Sequence, residues 1–472
     1  MNSSLKINPI QHPLNATVRV PGSKSLTNRA LLIASLANGT TRLTNALFSD
    51  DSRYFAKALQ TLGFNVQLDE ASREMTVTGL GGKIPAQQAE LFIGNAGTAA
   101  RFLSAFLTLG NGEYILDGEP RMRERPIGDL VEALKQLGCN IQPVLPKDNR
   151  PLTIDHRPSS VVNGQICPPV KIRANGLPGG KTTIAGDISS QFLSALLMVA
   201  PYAQNPIEIT LSTDLNSKPY VDMTIAIMKD FGVEVERDNY RFFTVPLTRY
   251  KLQDTKLVSR NLYTVESDAS AASYFFAAPA ICGGTVKVEN ISRKSVQGDI
   301  AFLDVLTKMG CIVTEAENSI TVHRPSSIVG LDIDMSDIPD TAQTLAAIAP
   351  FADSPTRIRG IASARVKETD RVHATCTELK RLGVQVEEHE DGMTIFPCQT
   401  FKPANIQTYN DHRMAMAFSL VGLRFEGVTI ENPSCVSKTF PNYFDVLGDL
   451  SKQVINPSCY LPQEIEAASQ YK

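Results

Sequence analysis

The sequence predicts an α/β protein folded as two closed halves, each made of three repeated units wound around buried helices. Three observations carry that expectation. A short glycine-centred phrase recurs along the chain, six stretches rich in Ala, Leu and Ser are apolar nearly all round, and β-rich runs fall between them. The length, 472 residues, suits two or three domains at the usual ~150 residues each and leaves room for real cores.

The phrase reads LGFNV, LGCNI, FGVEV, MGCIV and LGVQV, around Gly63, Gly138, Gly232, Gly310 and Gly383. Each copy closes an amphipathic stretch. Phe302, Val305, Leu306 and Met309 stand at i, i+3, i+4 and i+7, and Ile127, Leu130, Leu134 and Leu137 form another stripe, so these are surface helices with one apolar face. The Gly suits the left-handed position just past a helix, and the alternating residues beyond it predict a strand. Asp51, Asp129, Asp222, Asp299 and Asp370 open most copies, where a carboxylate meets the positive end of a helix dipole. A sixth copy, around Tyr443 to Asp449, is degenerate.

Interleaved with these are NRALLIASLANG, TAARFLSAFLTLGNG, SSQFLSALLMVAP, ASAASYFFAAPAICGG, TAQTLAAIAPFA and RMAMAFSLVGLRFEG. A helix apolar on all sides is a buried one. Most lead into β-rich runs such as GTVKVENI or GVTIENP, so the order is buried helix, strand, exposed helix, strand, strand, in six copies of about 80 residues. A buried helix in every repeat favours closed units over an open solenoid. The polar stretch from Leu247 to Asn261 falls between the third and fourth copies and is the natural boundary.

Composition narrows the function classes. With 43% apolar residues, 20% charged and no long uninterrupted apolar run, no membrane helix is expected. MNSSLKINPI has no basic segment followed by an apolar one, so the cytoplasm is expected. Eight scattered cysteines without CxxC or Cys/His ligand spacing predict reduced thiols, and neither a disulfide frame nor a metal site. A net charge of −3 gives no global field for nucleic acid or anionic lipid, so any bound anion needs a local cluster.

That cluster is found at the heads of the buried helices. If these helices point the same way, their N-termini converge and bring unpaired N–H groups and partial positive charge. There stand Ser23, Lys24, Ser25, Asn28 and Arg29; Asn95, Gly97, Thr98 and Arg101; Ser189, Ser190 and Gln191; Glu266 and Asp268; Asp337 and Asp340; Asn410, Asp411, His412 and Arg413. Helix capping accounts for Ser189, Asp268 and Asp337 as readily as function does. It does not account for Lys24, Arg29, Arg101 and Arg413 there, which with Arg125, Lys367, Arg371 and Lys438 elsewhere in the chain supply the forked guanidinium donors and ammonium groups that phosphate or carboxylate groups need. Asp340 and Glu368, set among these cations, suit acid and base. His412 reads equally as a proton donor and as a structural histidine. GGKTT at Gly179 to Thr183 imitates the end of a P-loop, but position 175 is Asn, and a hairpin turn is expected instead.

PGSKSLTNRAL, LFIGNAGTAAR, RMRERPIGDL, SSQFLSALL, SKPYVD, IPD, RVKETDR, YNDHRMAM and SKTFPNYF follow one another from about Val18 to Leu447. In these motifs the chain resembles the 5-enolpyruvylshikimate-3-phosphate (EPSP) synthase family of enolpyruvyl transferases. The resemblance implies two inside-out α/β barrel domains, each of three βαβαββ repeats. Residues 1–21 plus 264–452 would form one, 22–263 the other, and 453–472 a tail. It implies transfer of the enolpyruvyl group of phosphoenolpyruvate to the 5-hydroxyl of shikimate 3-phosphate by addition and then elimination, in the pathway to chorismate and the aromatic amino acids. No cofactor is required, and a monomer is expected.

Position by position, the resemblance assigns Lys24, Ser25, Arg29, Ser189, Ser190, Gln191, Ser217, Tyr220, Asp340, Ser363 and Lys367 to shikimate 3-phosphate. Lys24, Asn95, Gly97, Arg125, Gln191, Arg371, Arg413 and Lys438 are assigned to phosphoenolpyruvate. Asp340 would exchange the hydroxyl proton, and Glu368 and Lys24 would handle the methylene proton and the departing phosphate, with His412 a further catalytic candidate. Gly97 resembles the glycine that leaves room for the herbicide glyphosate in the phosphoenolpyruvate place. Two positions depart from the family: Ser363 replaces a frequent Asn, and Phe102 a frequent Pro, which could shift the helix start carrying Gly97. UDP-N-acetylglucosamine enolpyruvyl transferases share fold and chemistry, but their reactive Cys loop is not found here. A non-catalytic binding protein on the same scaffold would be favoured by loss of Lys24, Asp340 or Glu368, and all three are present. Cationic helix ends in both halves are expected to repel until anions lie between them.

Overall fold

The computed structural model describes residues 4–144, 161–162, 164–251, 258–259, 261–450 and 452; the expected tail and Cys459 lie outside the described residues. In the first half of the chain the α-helices are α1 Lys24–Leu36, α2 Asp50–Thr61, α3 Gly97–Phe106, α4 Gly128–Gln136, α5 Ser190–Val199 and α6 Lys218–Asp230. In the second they are α7 Ala269–Cys282, α8 Phe302–Lys308, α9 Ala342–Ile348, α10 Arg371–Arg381, α11 His412–Arg424 and α12 Tyr443–Leu450. Odd-numbered helices are the Ala- and Leu-rich ones, and every residue of α3 and α9 is buried. Even-numbered helices bury one face, as Phe302, Leu303, Val305 and Leu306 do in α8.

The recurring glycines end the exposed helices. Gly63, Gly138, Gly232, Gly310 and Gly383 have φ between 78° and 104°, the left-handed region that a side chain disfavours. Each closes its helix with a pair of reversed bonds. After α8, Gly310 N–H donates to Thr307 O at 3.0 Å and Cys311 N–H to Leu306 O at 2.9 Å. The aspartates behave less uniformly. Asp51 and Asp129 lie in first turns, Asp370 caps α10, and Asp299 sits in a short 3₁₀ turn ahead of α8. Asp222 does not open a helix: α6 begins earlier, at Lys218-Pro219, and the Asp222 carboxylate accepts from Arg237 and from Tyr240 Oη.

Four times, the strand leading into a buried helix pairs in parallel with the strand that follows it. These pairs are Gln88–Phe92 with Asn111–Asp117, Gly180–Ile184 with Ile207–Leu211, Asp332–Asp334 with Thr356–Arg359, and Ala404–Ile406 with Val428–Glu431. The other two leading strands are exchanged. Leu14–Arg19, ahead of α1, pairs with Gly284–Glu289 after α7, while Leu262–Thr264, ahead of α7, pairs with Asn38–Thr44 after α1. The chain therefore crosses between two sets of sheets at residues 20–23 and 265–268, past the polar stretch 247–261. The crossings are tied by Ser23 N–H to Glu266 O and Asp268 N–H to Pro21 O, both 2.8 Å. Two separate apolar cores result, one built from Leu26 to Val265 and the other from Ile7 to Val20 together with Ala269 to Leu450.

The P-loop imitation is a strand and not the expected hairpin turn. Gly180–Ile184 lies in register with its parallel neighbour, so its amides serve the sheet ladder, and Lys181 points outward to Glu208 at 2.9 Å. Among the described residues no helix is long and apolar enough to cross a membrane.

Candidate functional site

Arg371, the first residue of α10, is the hub of a buried charge cluster. It donates from Nε to Asp411 Oδ2 at 2.8 Å, from Nη2 to Glu368 Oε2 at 2.8 Å and from Nη1 to Asp340 Oδ1 at 3.1 Å. Arg413, in the first turn of α11, donates to Asp340 Oδ2 at 2.8 Å, and Lys367 Nζ stands 4.0 Å from Asp340 Oδ1. Burial opposes ionisation of Asp340, but Arg413, Lys367, Arg371 and Lys24 outweigh it and hold the carboxyl well below the usual range. Glu368 is treated alike. Burial again opposes its charge, and Arg371, Arg125 and Lys438 overcome it, the last two standing 3.8 and 3.9 Å from Oε1.

The first half of the chain closes on this cluster. Lys438 Nζ donates to Asn95 O at 2.7 Å and to Asp51 Oδ1 at 2.8 Å, while Lys24 Nζ lies 3.5 Å from Asp51 Oδ2. Arg125 donates to both oxygens of Asn95 at 3.0 Å, and Arg121 donates to the carbonyls of Glu368 and Lys367 at 3.0 and 2.9 Å. A Cβ on Gly97 would come 2.4 Å from Arg125 Nη2, so the bare glycine is what lets this guanidinium lie against the head of α3. The repulsion expected between the halves is thus offset by carboxylates that lie among the cations.

Beside this network lies a cation with no carboxylate partner among the described residues. Arg29 is 1% exposed and donates to Thr224 Oγ1 at 2.7 Å and to the carbonyls of Ser25 and Tyr220 at 3.1 Å. Burial lowers its pKa to about 10. A buried guanidinium satisfied only by neutral acceptors suits an added anion. Phe102 sits under it, ring centre 5.2 Å from the guanidinium carbon, while α3 still begins at Gly97. Around Arg29 are Ser25, Ser194 and Tyr220; Ser190 begins α5 one turn before Ser194, and Ser189 caps that helix by accepting from Gln191 N–H at 3.3 Å. Ser217, with φ 56°, donates to Ser336 O of the second half at 3.3 Å, and Tyr220 Oη donates to Asp299 at 3.1 Å.

A family model described as EPSP synthase (3-phosphoshikimate 1-carboxyvinyltransferase) matches residues 9–447. The chain belongs to the EPSP synthase family. It is 49% identical over 451 residues to the 3-phosphoshikimate 1-carboxyvinyltransferase of Sulfurovum sp. (strain NBC37-1), covering 95% of this chain and 99% of that one. With the chloroplastic 3-phosphoshikimate 1-carboxyvinyltransferase of Brassica napus it shares 48% identity over 467 residues, covering 95% and 86%. A solved structure of EPSP synthase from Acinetobacter baumannii superposes with a TM-score of 0.73 at 24% identity, covering 95% of this chain and 98% of that one. That likeness speaks for the fold, and the α/β class expected from the repeats is borne out.

Two expected residues of this EPSP synthase family member lie in less expected surroundings. His412 is fully buried, neither ring nitrogen has a hydrogen-bond partner among the described residues, and Nδ1 is 3.6 Å from Asp411 Oδ1. Burial, reinforced by Lys24 and Arg413, pushes its pKa well below the usual value, so the imidazole is neutral near pH 7. Ser363 Oγ is buried without a partner among the described residues. Three residues were missed as parts of the cluster, and a fourth, Asp411, was placed at a helix head without a role. Asp51 and Asp299 carry only the signal of an acid near a helix start, Asp411 that of a cap, and Arg121 stands within RMRERP without a mark of its own.

Proposed function

We infer that this chain is a 3-phosphoshikimate 1-carboxyvinyltransferase, moving the enolpyruvyl group of phosphoenolpyruvate to the 5-hydroxyl of shikimate 3-phosphate and releasing phosphate. The observation that carries this reading is the pair of carboxylates, Asp340 and Glu368, each held ionised by cations, at the place where helix heads from both halves meet. Addition comes first. Asp340 takes the 5-hydroxyl proton as the oxygen attacks the central carbon of phosphoenolpyruvate, and the methylene carbon takes a proton from the ammonium group of Lys24, with ionised Glu368 on the same side. Elimination then returns one proton of the new methyl group to the Glu368 and Lys24 side, expels phosphate and restores the double bond. Arg371 and Arg413 hold Asp340 as a weak base; a substrate carboxylate and phosphate that share these arginines would raise its basicity where the proton must move. Arg125, Arg371, Arg413 and Lys438 offset the anionic charge of phosphoenolpyruvate and of the leaving group.

Arg29, with no carboxylate partner among the described residues, fits an anionic group of shikimate 3-phosphate, with Ser25, Ser189, Ser190, Gln191, Ser217 and Tyr220 around it and Ser363 and Lys367 at the ring hydroxyls. His412, being neutral, fits orientation better than proton donation. The domains follow the strand exchange: 1–21 with 264–452 in one inside-out barrel and 22–263 in the other, so that ligands bind between two bodies of one chain. Both bodies of the site come from one chain, which supports a monomeric enzyme. Phosphate release from phosphoenolpyruvate tests the reading, with shikimate 3-phosphate and UDP-N-acetylglucosamine offered in turn. Release with shikimate 3-phosphate alone is expected; release with UDP-N-acetylglucosamine alone would overturn the acceptor assignment.

A further inference from the structure

We propose that Asp51 is a positioning residue for this reaction, holding Lys24 of one half and Lys438 of the other on a single carboxylate. The proposal rests on the functional reading above, in which both lysines meet phosphoenolpyruvate. Asp51 lies in the first turn of α2, where an acid usually complements the dipole from solvent, yet its side chain is only 2% exposed. The helix does not need it as a cap, because Ser49 and Ser52 already form a reciprocal capping box. Its two oxygens are divided instead between two ammonium groups, Oδ1 at 2.8 Å from Lys438 Nζ and Oδ2 at 3.5 Å from Lys24 Nζ.

Neighbouring contacts give the arrangement direction. Asp50 Oδ2 accepts from Ser437 Oγ at 2.6 Å, so two consecutive acids of the first half hold two consecutive residues of the second. Lys438 continues to Asn95 O, whose side chain in turn receives Arg125. A polar pocket of about 240 Å³ is lined in part by Asp50, Asp51, Tyr54, Glu119 and Lys438. Two ammonium groups drawn to one place repel each other, and a carboxylate between them offsets that repulsion while fixing both. Among the described residues, the pair is also faced by Glu368 on the Lys438 side, by Asp340 and the neutral His412 on the Lys24 side, and by Glu119 and Asp50 at the pocket.

Asp51→Asn keeps the shape and removes the charge. With shikimate 3-phosphate and phosphoenolpyruvate, kcat is expected to fall roughly 10- to 100-fold, the scale of misplaced reacting groups, and the KM for phosphoenolpyruvate to rise. Asp51→Glu keeps the charge and is expected to recover part of both losses. A KM for phosphoenolpyruvate left at the parental value in Asp51→Asn, or kcat and thermal midpoint falling together in Asp51→Asn and Asp51→Glu alike, overturns the proposal, since that marks a structural role alone. A second readout does not depend on turnover: NMR of the full chain carrying ¹³Cε-lysine at one fixed pH, with Lys24→Arg and Lys438→Arg for assignment. Displacement of both lysine Cε signals in Asp51→Asn supports the proposal even if the parent proved inactive, which would count against the functional reading only. Signals left in place at both lysines overturn it.

Discussion

Asp340 loses the most chemistry for the fewest atoms. Asp340→Ala removes the carboxylate that Arg371 and Arg413 hold at 3.1 and 2.8 Å, and turnover at saturation is expected to fall at least 10²-fold, the usual scale for a general acid or base. Glu368→Gln should act likewise, whereas Arg125→Ala should chiefly raise the KM for phosphoenolpyruvate. Near-parental kcat in Asp340→Ala would remove it from the proton path. At Gly97 the added methyl of Ala would meet the Arg125 guanidinium 2.4 Å away. Overpacking of about 1 to 3 kcal/mol corresponds to glyphosate inhibition weakened by roughly 5-fold to 150-fold, with the KM for phosphoenolpyruvate rising less. Equal inhibition constants in parent and Gly97→Ala would contradict that placement.

Asp299 gives a pH-dependent outcome. Buried under Tyr220 and Ser270, its carboxyl is raised to about 6 by burial and by the charge of Asp340, with Arg413 opposing and Asp268 adding. Because this folded value lies above the 3.8 of a free Asp, ionised Asp299 opposes folding at pH 8, and that opposition fades as the pH falls through about 6. Asp299→Asn never carries it. The thermal midpoint of the variant minus that of the parent should therefore be more positive at pH 8 than at pH 5, and a difference independent of pH would sink the assignment. Lys24, Arg29 and Arg413 were legible in the sequence because a cation at the head of an apolar helix is hard to explain as a solvated charge, whereas Arg371, at the head of the amphipathic α10, was legible only as one of a larger set of cations. Asp51 and Asp299 were not, since an Asp near a helix start has an ordinary reading there, and only burial and a partner from the other half distinguish these two.

Among the elements, the helix ends test most cleanly. Gly310 has φ 104° and a Cβ there would meet only Ser327 O at 3.6 Å, so Gly310→Ala should cost about 1 to 2 kcal/mol from conformation alone. Gly63→Ala should cost more, because the new Cβ would also lie 2.8 Å from Pro85 Cβ. Urea unfolding of the two variants checks the order; equal losses would mean that the Pro85 contact relaxes freely. These five glycines and the twelve α-helices among the described residues could be read from apolar period and turn chemistry, which are local. The GGKTT strand could not, because two glycines before a β-branched run serve a hairpin or a parallel edge equally well, and the partner strand, Ile207–Leu211, decides.

The whole molecule is two apolar cores joined by two crossings and a polar interface, so its halves can separate without opening either core. The strand exchange behind that division was invisible to periodicity, since a strand's pattern names its buried face and not its neighbour. The interface places Asp340 and Glu368 of one half against Lys24, Asn95 and Arg125 of the other. That juxtaposition is what makes addition followed by elimination at one carbon a coherent reaction for this chain. The most direct test is turnover of phosphoenolpyruvate and shikimate 3-phosphate in D₂O, with the product analysed by mass and proton NMR. Protonation of the methylene carbon and later loss of one of its three hydrogens should leave deuterium in the vinyl group of the product, and only when shikimate 3-phosphate is present. A product formed at normal rate with an unlabelled vinyl group would contradict the account.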